Sequence, residues 1–206
     1  MRFFVTCFVY LVVLHGAFGQ ARPGQNMVFN GSFDHPDDPL KGWTVNLEWL
    51  GNSHYMKNHT RIAAVESYKG YRNLAHINGK SKETKIESLP MKFEQGARYR
   101  CTIDVNGNTN PHIYFRGHKW QPGIRPHDEP TIPEMRTIYK SQFRGHKVQK
   151  GANGWKRITF EFPLEDLSSL AKKHLRYVRF FTVYAIVLAD FPGEIYIDNV
   201  KVERIK

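Results

Sequence analysis

Short segments in which polar and apolar residues alternate run through most of this 206-residue chain, and Gly, Asn and Pro separate them. Residues 96–105 alternate in the manner of a half-buried strand, and residues 155–162 alternate again with one slip that is typical of a β-bulge. Strand character is also clear in residues 73–77, 85–90, 176–188 and 194–202. Many short strands with turn residues between them predict an all-β antiparallel sandwich or jelly roll.

Two local signals refine this prediction. Asn78-Gly79 follows a strand and predicts a β-hairpin at that point. Only residues 164–173 look helical: Pro163 precedes them, acidic residues cluster early and lysines cluster late, as the helix dipole favours. We therefore expect one short surface helix.

Residues 1–19 have the pattern of a secretory signal peptide. Arg2 supplies the positive charge, and residues 3–14 are largely apolar. Ala17 and Gly19 are small residues at the −3 and −1 positions, which predicts cleavage after Gly19. The alternative of a membrane anchor is disfavoured, because a spanning helix needs about 20 apolar residues. We expect a secreted or periplasmic protein with no transmembrane segment, a flexible lead-in at residues 20–26 and one domain over residues 27–206.

The cysteines bear on how this domain is held together. Cys7 lies in the leader, which leaves Cys101 as the one cysteine of residues 20–206. An intrachain disulfide is therefore excluded, and the core must hold the domain. Cys101 lies in an alternating strand pattern, so we expect a buried, inert thiol.

Four motifs occur in order along the domain. Residues 30–34 read NGSFD and precede Gly42-Trp43, residues 89–99 carry Leu-Pro and then Gly-x-x-Tyr, residues 154–160 read GWKRITF, and residues 193–203 read GEIYIDNVKVE. This series resembles the CenC-like carbohydrate-binding modules of families four, nine and twenty-two. The resemblance implies a galactose-binding-like β-jelly roll, with sugars as ligands.

The same resemblance implies a structural calcium ion between the two ends of the domain. Its ligands here would be the carbonyl of Ser32, the carboxylate of Asp34 and Asp198, all hard oxygen donors. This chain has Phe-Asp where Phe-Glu is commoner in the family. The alternative is that Asp34 starts a turn and Asp198 caps a strand end.

Residues 112–150 depart from the simple module. The segment is long, rich in Pro, Gly, His and basic residues, and contains FRGHK twice, at residues 115–119 and 143–147. Its histidines lack the tight spacing of a zinc or copper site. We expect an irregular insertion that shapes or covers a sugar cleft, because long ordered loops are often functional.

Sugar sites combine flat aromatic faces with polar groups that form hydrogen bonds. Trp43 and Trp155 match family positions that pack inside. The candidate carbohydrate-binding residues, chosen for their polar or loop contexts, are Trp120, Tyr114, Arg116, His118, Arg144, Trp49 and Tyr71. A net charge of +11 favours acidic polysaccharides as ligands. The alternative is that this charge only keeps the protein soluble.

These features favour a secreted, monomeric, non-catalytic module that binds a polysaccharide or other glycan. A protein-interaction or cell-envelope module is one alternative. A jelly-roll polysaccharide lyase, with a Tyr or His base and an Arg that neutralises a uronate, is another. The sequence shows no nucleophile elbow, phosphate loop or recognisable pair of catalytic carboxylates, and no nucleic-acid recognition motif.

Overall fold

A computed structural model describes residues 24–44, 62–80, 84–142, 147–188 and 190–206. The predicted leader, Trp49 and Arg144 lie outside the described residues. Within the described ranges no helix is long and apolar enough to cross a bilayer.

The described residues form β-strands for the most part. In chain order the strands are β1 Trp43–Thr44, β2 Ile62–Tyr68, β3 Tyr71–Asn78, β4 Thr84–Ser88, β5 Met91–Lys92, β6 Tyr99–Gly107, β7 His112–Trp120, β8 Met135–Gln142, β9 Lys147–Lys150, β10 Lys156–Phe162, β11 Phe180–Val187 and β12 Glu194–Arg204. One α-helix, α1, spans Ser169–Leu175, and short 3-10 turns span Ile132–Glu134 and Ala152–Gly154.

The strands pair into two sheets, and every pairing is antiparallel. The front sheet has the order β1-β4-β11-β7-β8, with β5 also paired to β11. The back sheet has the order β2-β3-β12-β6-β10-β9. The predicted all-β jelly-roll sandwich with one short helix is confirmed.

The core lies between the sheets and follows from the two-residue period of the strands. On the front sheet Phe115 and Phe181 point inward, and on the back sheet Tyr99 and Phe162 meet them, with ring centroids 4.4 Å apart for Phe115–Phe162 and 4.9 Å apart for Tyr99–Phe181. Cys101 is fully buried here, and burial raises the pKa of its thiol. The thiol is therefore inert, as expected.

The two tryptophans expected inside are buried. Trp43 stacks on Phe33 in the core at 5.0 Å. Trp155 instead stacks on Tyr71 at 4.0 Å and donates its indole N–H to the Lys69 carbonyl, 3.3 Å away. Its burial thus comes from the start of β3 and the turn that precedes it.

The hairpin predicted at Asn78-Gly79 is wrong. β3 lies in the back sheet and β4 in the front sheet, so this stretch leads from one sheet to the other. The two-residue hairpin is instead at Lys69-Gly70, where both residues have positive φ (46° and 91°), as a type I′ turn requires. Lysine rarely takes this conformation, so its sequence signal was weak.

The helix exists but begins later than predicted. Glu165 and Asp166 form a turn, and the helix starts only after Ser168, whose Oγ accepts a hydrogen bond from the Ala171 N–H at 3.2 Å. The N-cap hydroxyl, not the acidic residues, sets the start of α1.

The basic segment 112–150 is more regular than expected. It contains β7, β8 and β9, and β7 pairs directly with β8 on the front sheet. Irregular chain is concentrated in residues 121–131. The second FRGHK copy falls largely outside the described residues, so the repeat stays a sequence observation.

The N-terminal segment lies against β12. The Met27 N–H donates to the Val202 carbonyl at 2.7 Å, and the Val200 N–H donates to the Gly31 carbonyl at 2.8 Å. Gly31 lies so close to β12 that a Cβ at this position would be 1.9 Å from the Val200 carbonyl oxygen. The first motif and the last strand are therefore in direct contact.

We predict that Gly31→Ala destabilises the fold by about 1–3 kcal/mol, because the new methyl group must displace backbone rather than a side chain. Gly151→Ala is the matched control, since a Cβ at Gly151 would meet its nearest atom at an ordinary 3.4 Å. Urea unfolding of both variants measures the difference. Equal stability of the two would contradict the close packing of this segment.

Candidate functional site

The outward side of the front sheet gathers polar and aromatic side chains from four strands, and we call it the front face. Along β7, Ile113 and Phe115 point into the core, so Tyr114 and Arg116 point outward. Register places Tyr184 of β11 beside Tyr114. The neighbouring strands β4 and β8 contribute Lys85, Glu87 and Lys140.

Two tyrosines form the centre of the front face. The rings of Tyr114 and Tyr184 stack with centroids 4.9 Å apart and 9° between their planes. The Nζ of Lys140 lies 4.4 Å from the Tyr114 centroid, while the guanidinium carbon of Arg116 and the Nζ of Lys85 lie 4.8 and 5.2 Å from the Tyr184 centroid. Three cations thus surround one pair of aromatic rings.

A buried carboxylate anchors these cations. Glu87 is fully buried, its side chain lies 3.2 Å from Arg116 and 3.7 Å from Lys85, and it accepts a 2.6 Å hydrogen bond from the Thr182 hydroxyl. A buried carboxylate needs such partners to stay ionised. Glu87 thus holds Arg116 and Lys85 beside the Tyr184 ring.

His118 lies at the end of this network. Its two ring nitrogens lie 3.0 Å from the Thr182 hydroxyl and 3.3 Å from the Thr137 hydroxyl, and its side chain is 1% exposed. Burial, together with the nearby Arg116 charge, lowers the pKa of His118 to about 3. The imidazole is therefore neutral at ordinary pH, and it positions Thr182 instead of meeting solvent.

Accessibility differs across the front face. Glu87, Tyr184 and Thr182 form a buried floor, whereas Lys140 is exposed and Tyr114 is half-buried. The exposed edge therefore offers an ammonium group beside an aromatic ring. That combination is suited to an anionic group carried on a ring with an apolar face.

The structure brings together four of the seven predicted sugar-binding residues. Tyr114, Arg116, His118 and Trp120 alternate along β7 and share the front face. Trp120 packs against Phe180 and His127, with centroids 5.2 and 4.8 Å away, so it is not an open platform.

The other three do not join this group. Tyr71 lies on the back sheet, where it stacks on Trp155 and donates a hydrogen bond to Asp104 at 3.2 Å. Trp49 and Arg144 lie outside the described residues. The single site that the sequence suggested is thus divided between two sheets, because sequence position alone does not reveal which sheet a strand joins.

Sequence reasoning missed Tyr184, Glu87, Lys85 and Lys140. Tyr184 is surrounded in sequence by apolar residues of β11, and the run reads as core throughout. Alternation was the available signal: Val183 and Ala185 point inward, so the residue between them must point outward.

The predicted calcium ligands lie at the seam between the first motif and the last strand. Asp34 is exposed and accepts a 2.6 Å hydrogen bond from Asn73, while Asp198 is 5% exposed and accepts a 2.6 Å bond from the Asn199 N–H. Burial, and then the charges of Asp34 and Asp104, raise the pKa of Asp198 to about 7.

Asp104 differs from Asp198 because its carboxylate is paired with a basic side chain. The guanidinium of Arg157 donates to both Asp104 oxygens at 2.7 Å. In the part of the chain that the structure describes, no Lys or Arg pairs with Asp198, and no group of three or more His, Cys, Asp or Glu side chains is arranged to hold a metal. A cation at Asp198 would thus depend on backbone carbonyls in addition to carboxylates.

No protein-family model matches the sequence, and no curated protein matches it. In fold the chain is similar to several carbohydrate-binding modules. The CBM22-1 xylan-binding domain of Paenibacillus barcinonensis Xyn10C has a TM-score of 0.48 at 10% identity, over 91% of this chain and 99% of that one. A family 61 module in complex with β-1,4-galactotriose has a TM-score of 0.45 at 13% identity, over 87% and 99%.

A larger protein also contains a similar region. The enzymatically active domain of bacteriophage CBA120 tailspike protein 4 has a TM-score of 0.47 at 13% identity, over 87% of this chain but 21% of that chain. This chain therefore spans about a fifth of the tailspike structure that it matches. The two-sheet fold described above rests on the strand pairing itself, and these similarities add no residue-level correspondence.

We predict that His118 makes the fold sensitive to acid. Because its folded pKa lies below the ordinary value of 6.5, its contribution to stability is complete above that value and is lost as pH falls toward 3. The free energy of unfolding lost between pH 7 and pH 4 should be smaller in His118→Asn than in the wild type by on the order of 3 kcal/mol.

Urea unfolding at the two pH values measures this difference. His174→Asn, which changes an exposed histidine of α1, is the matched control and should keep the wild-type dependence. An unchanged pH dependence in His118→Asn would show that the buried imidazole does not oppose protonation.

Proposed function

We propose that this protein is a non-catalytic carbohydrate-binding module whose front face binds acidic polysaccharide. The observation that carries the proposal is the stacked Tyr114–Tyr184 pair with Lys85, Arg116 and Lys140 around it. Aromatic faces pack against the C–H faces of sugars, and the cations supply charge-assisted hydrogen bonds to carboxylate or sulfate groups.

Each part of the front face has a role in this proposal. The exposed Lys140 is the first contact for an anionic substituent, and Tyr114 supports the sugar ring beside it. Glu87 holds Arg116 through a 3.2 Å ion pair, so the guanidinium is already oriented when a ligand arrives. The overall charge of +11 draws anionic polymers toward the protein.

Binding without catalysis is favoured by the state of the histidine. A lyase needs a base that reaches a proton of the bound uronate. His118 is 1% exposed, and both of its ring nitrogens lie within hydrogen-bonding distance of threonine hydroxyls. Burial also raises the pKa of Tyr184, which makes its phenolate harder to form.

We also propose that the protein acts outside the cell as a monomer, with residues 27–206 as the binding domain. The leader pattern at residues 1–19 supports export. The basic segment 112–150 contributes β7 and β8 to the front face, which supports a direct role in recognition.

The test is a glycan array at low and moderate salt, followed by titration calorimetry on the best ligand. We expect binding to uronate or sulfated glycans that weakens as salt rises, because ion pairs at the exposed edge are screened. Lys140→Ala should weaken binding about tenfold, since it removes one charge-assisted contact.

Lys201→Ala is the matched control, because Lys201 is a lysine on the outward side of the back sheet with a side chain that is 42% exposed. Equal affinity of the two variants would place recognition elsewhere. Salt-independent binding to neutral glycans would refute the acidic ligand class, and absence of any glycan binding would favour a protein-interaction or envelope module. Shortened products carrying new double bonds would show a lyase.

We propose a structural calcium ion at Asp34 and Asp198, with the Ser32 carbonyl as a further ligand. The donor set is of hard oxygens, and Asp198 is buried with no Lys or Arg partner among the described residues. Asp34 and Asp198 would come from the two chain segments that meet at the seam, so the ion would tie the first motif to β12.

We predict that a chelator lowers the melting temperature of the wild type by several degrees. The physical reason is linkage: saturating calcium that binds only the folded state contributes roughly 2–3 kcal/mol. Asp198→Ala should abolish this sensitivity, whereas Asp37→Ala, an exposed acid of the same loop, should keep it. A wild type whose melting temperature is the same with and without chelator would refute the site.

A further inference from the structure

A cavity lies where the two sheets separate, at the edge formed by β7 and β8 on one side and β9 and β10 on the other. We call it the end cleft. Its volume is about 480 Å³, within the range of small-molecule sites. Its rim includes Gln142, the register partner of Tyr114, so it adjoins the front face, but it shares none of the residues that carry the proposed glycan site.

The bottom of the end cleft is apolar. Val105, Ile113 and Ile158 reach it from the core, and Val148 forms its lip with a side chain that is 49% exposed. Val148 and Ile158 are cross-strand neighbours of β9 and β10. An exposed apolar side chain that continues the core outward is suited to an apolar ligand.

Two lysines stand at the mouth of the end cleft. Ile158 and Phe160 point into the core along β10, so Lys156, two residues before Ile158, points to the same inner side. Lys150 lies directly opposite Lys156 on β9 and shares that side. Register therefore places the two lysines side by side where the apolar layer ends, and both line the end cleft.

Like charges at directly opposite positions on paired strands are unfavourable. Lys156 has a long contact of 3.4 Å to the amide oxygen of Asn110, and none of the described residues that line the end cleft is acidic. The pair therefore bears a positive charge that the described lining does not neutralise. An anion between the two lysines would relieve their repulsion and would be held by two charge-assisted hydrogen bonds.

We propose that the end cleft binds an amphipathic anion, with an acyl chain on the apolar floor and a carboxylate between Lys150 and Lys156. The apolar chain accounts for Val105, Ile113, Val148 and Ile158, and the carboxylate accounts for the lysine pair. Neutral lipids leave the lysines without a partner, and small anions leave the floor uncovered.

Dodecanoate, kept below its micelle-forming concentration, is the probe for titration calorimetry with the purified protein. We expect saturable binding at one site and a rise in melting temperature on binding. The double variant Lys150→Ala/Lys156→Ala should bind dodecanoate at least tenfold more weakly, while its own melting temperature stays equal or rises because the repulsion is gone. A structural role for the lysines would lower both quantities together.

Control variants and control ligands separate these outcomes. Val148→Trp fills the mouth and should also abolish binding, whereas Lys201→Ala and Lys140→Ala should leave it unchanged. Dodecyl maltoside, which has the same chain without the charge, should bind at least tenfold more weakly, and acetate should not bind. Glycan binding by the double variant should equal that of the wild type, so failure here is separable from failure of the front face.

Two results would overturn the proposal. The first is absence of saturable dodecanoate binding, which would leave the inward lysines as a guard against edge-to-edge pairing of β9. The second is equal affinity for dodecanoate in the wild type and the double variant, or equal affinity of the wild type for dodecanoate and dodecyl maltoside.

Discussion

The register between β11 and β7 is the constraint on which the rest of the front sheet depends. Because side chains alternate strictly across a strand, the pairing of Tyr184 with Tyr114 places both rings outward and leaves Val183 and Phe115 in the core. A shift of the strand pairing by one residue would exchange the outward and inward side chains. The tyrosine hydroxyls would then be buried and the core side chains exposed. The hydrophobic core thus fixes the geometry of the face behind it.

Glu87 holds the charged side chains of the front face in fixed positions. A carboxylate without solvent is costly unless its partners compensate for the loss of water. Here Thr182, Arg116 and Lys85 supply that compensation, and in return the two cations are held over the Tyr184 ring. Lys140 lies outside this arrangement and is exposed. The structure therefore separates two cations that pair with the buried Glu87 from an exposed one that lies beside the Tyr114 ring.

The sequence predicted the fold class well, because alternation and turn residues are local signals. The burial of Cys101 followed from them, whereas that of Trp43 was implied by the family resemblance. The prediction failed at Asn78-Gly79, since a turn propensity does not reveal whether the next strand joins the same sheet. For the candidate site, the sequence named Tyr114 for its polar context and Arg116 for its charge, and the structure places both on the front face. Tyr184 was not named, because its outward position depends on neighbours in space.

The alternation of side chains across each strand determines which residues reach both candidate sites, yet the charges of the two sites are arranged differently. On the front face Lys85 and Arg116 both pair with the buried Glu87, so its negative charge compensates part of their positive charge. At the end cleft Lys150 and Lys156 oppose each other near the surface, with no acid among the described lining residues. Exposed charges are screened by salt more strongly than buried ones. In the two proposals, the end cleft therefore combines a large apolar floor with a lysine pair near the surface, whereas the front face combines one exposed lysine with the Tyr114 ring.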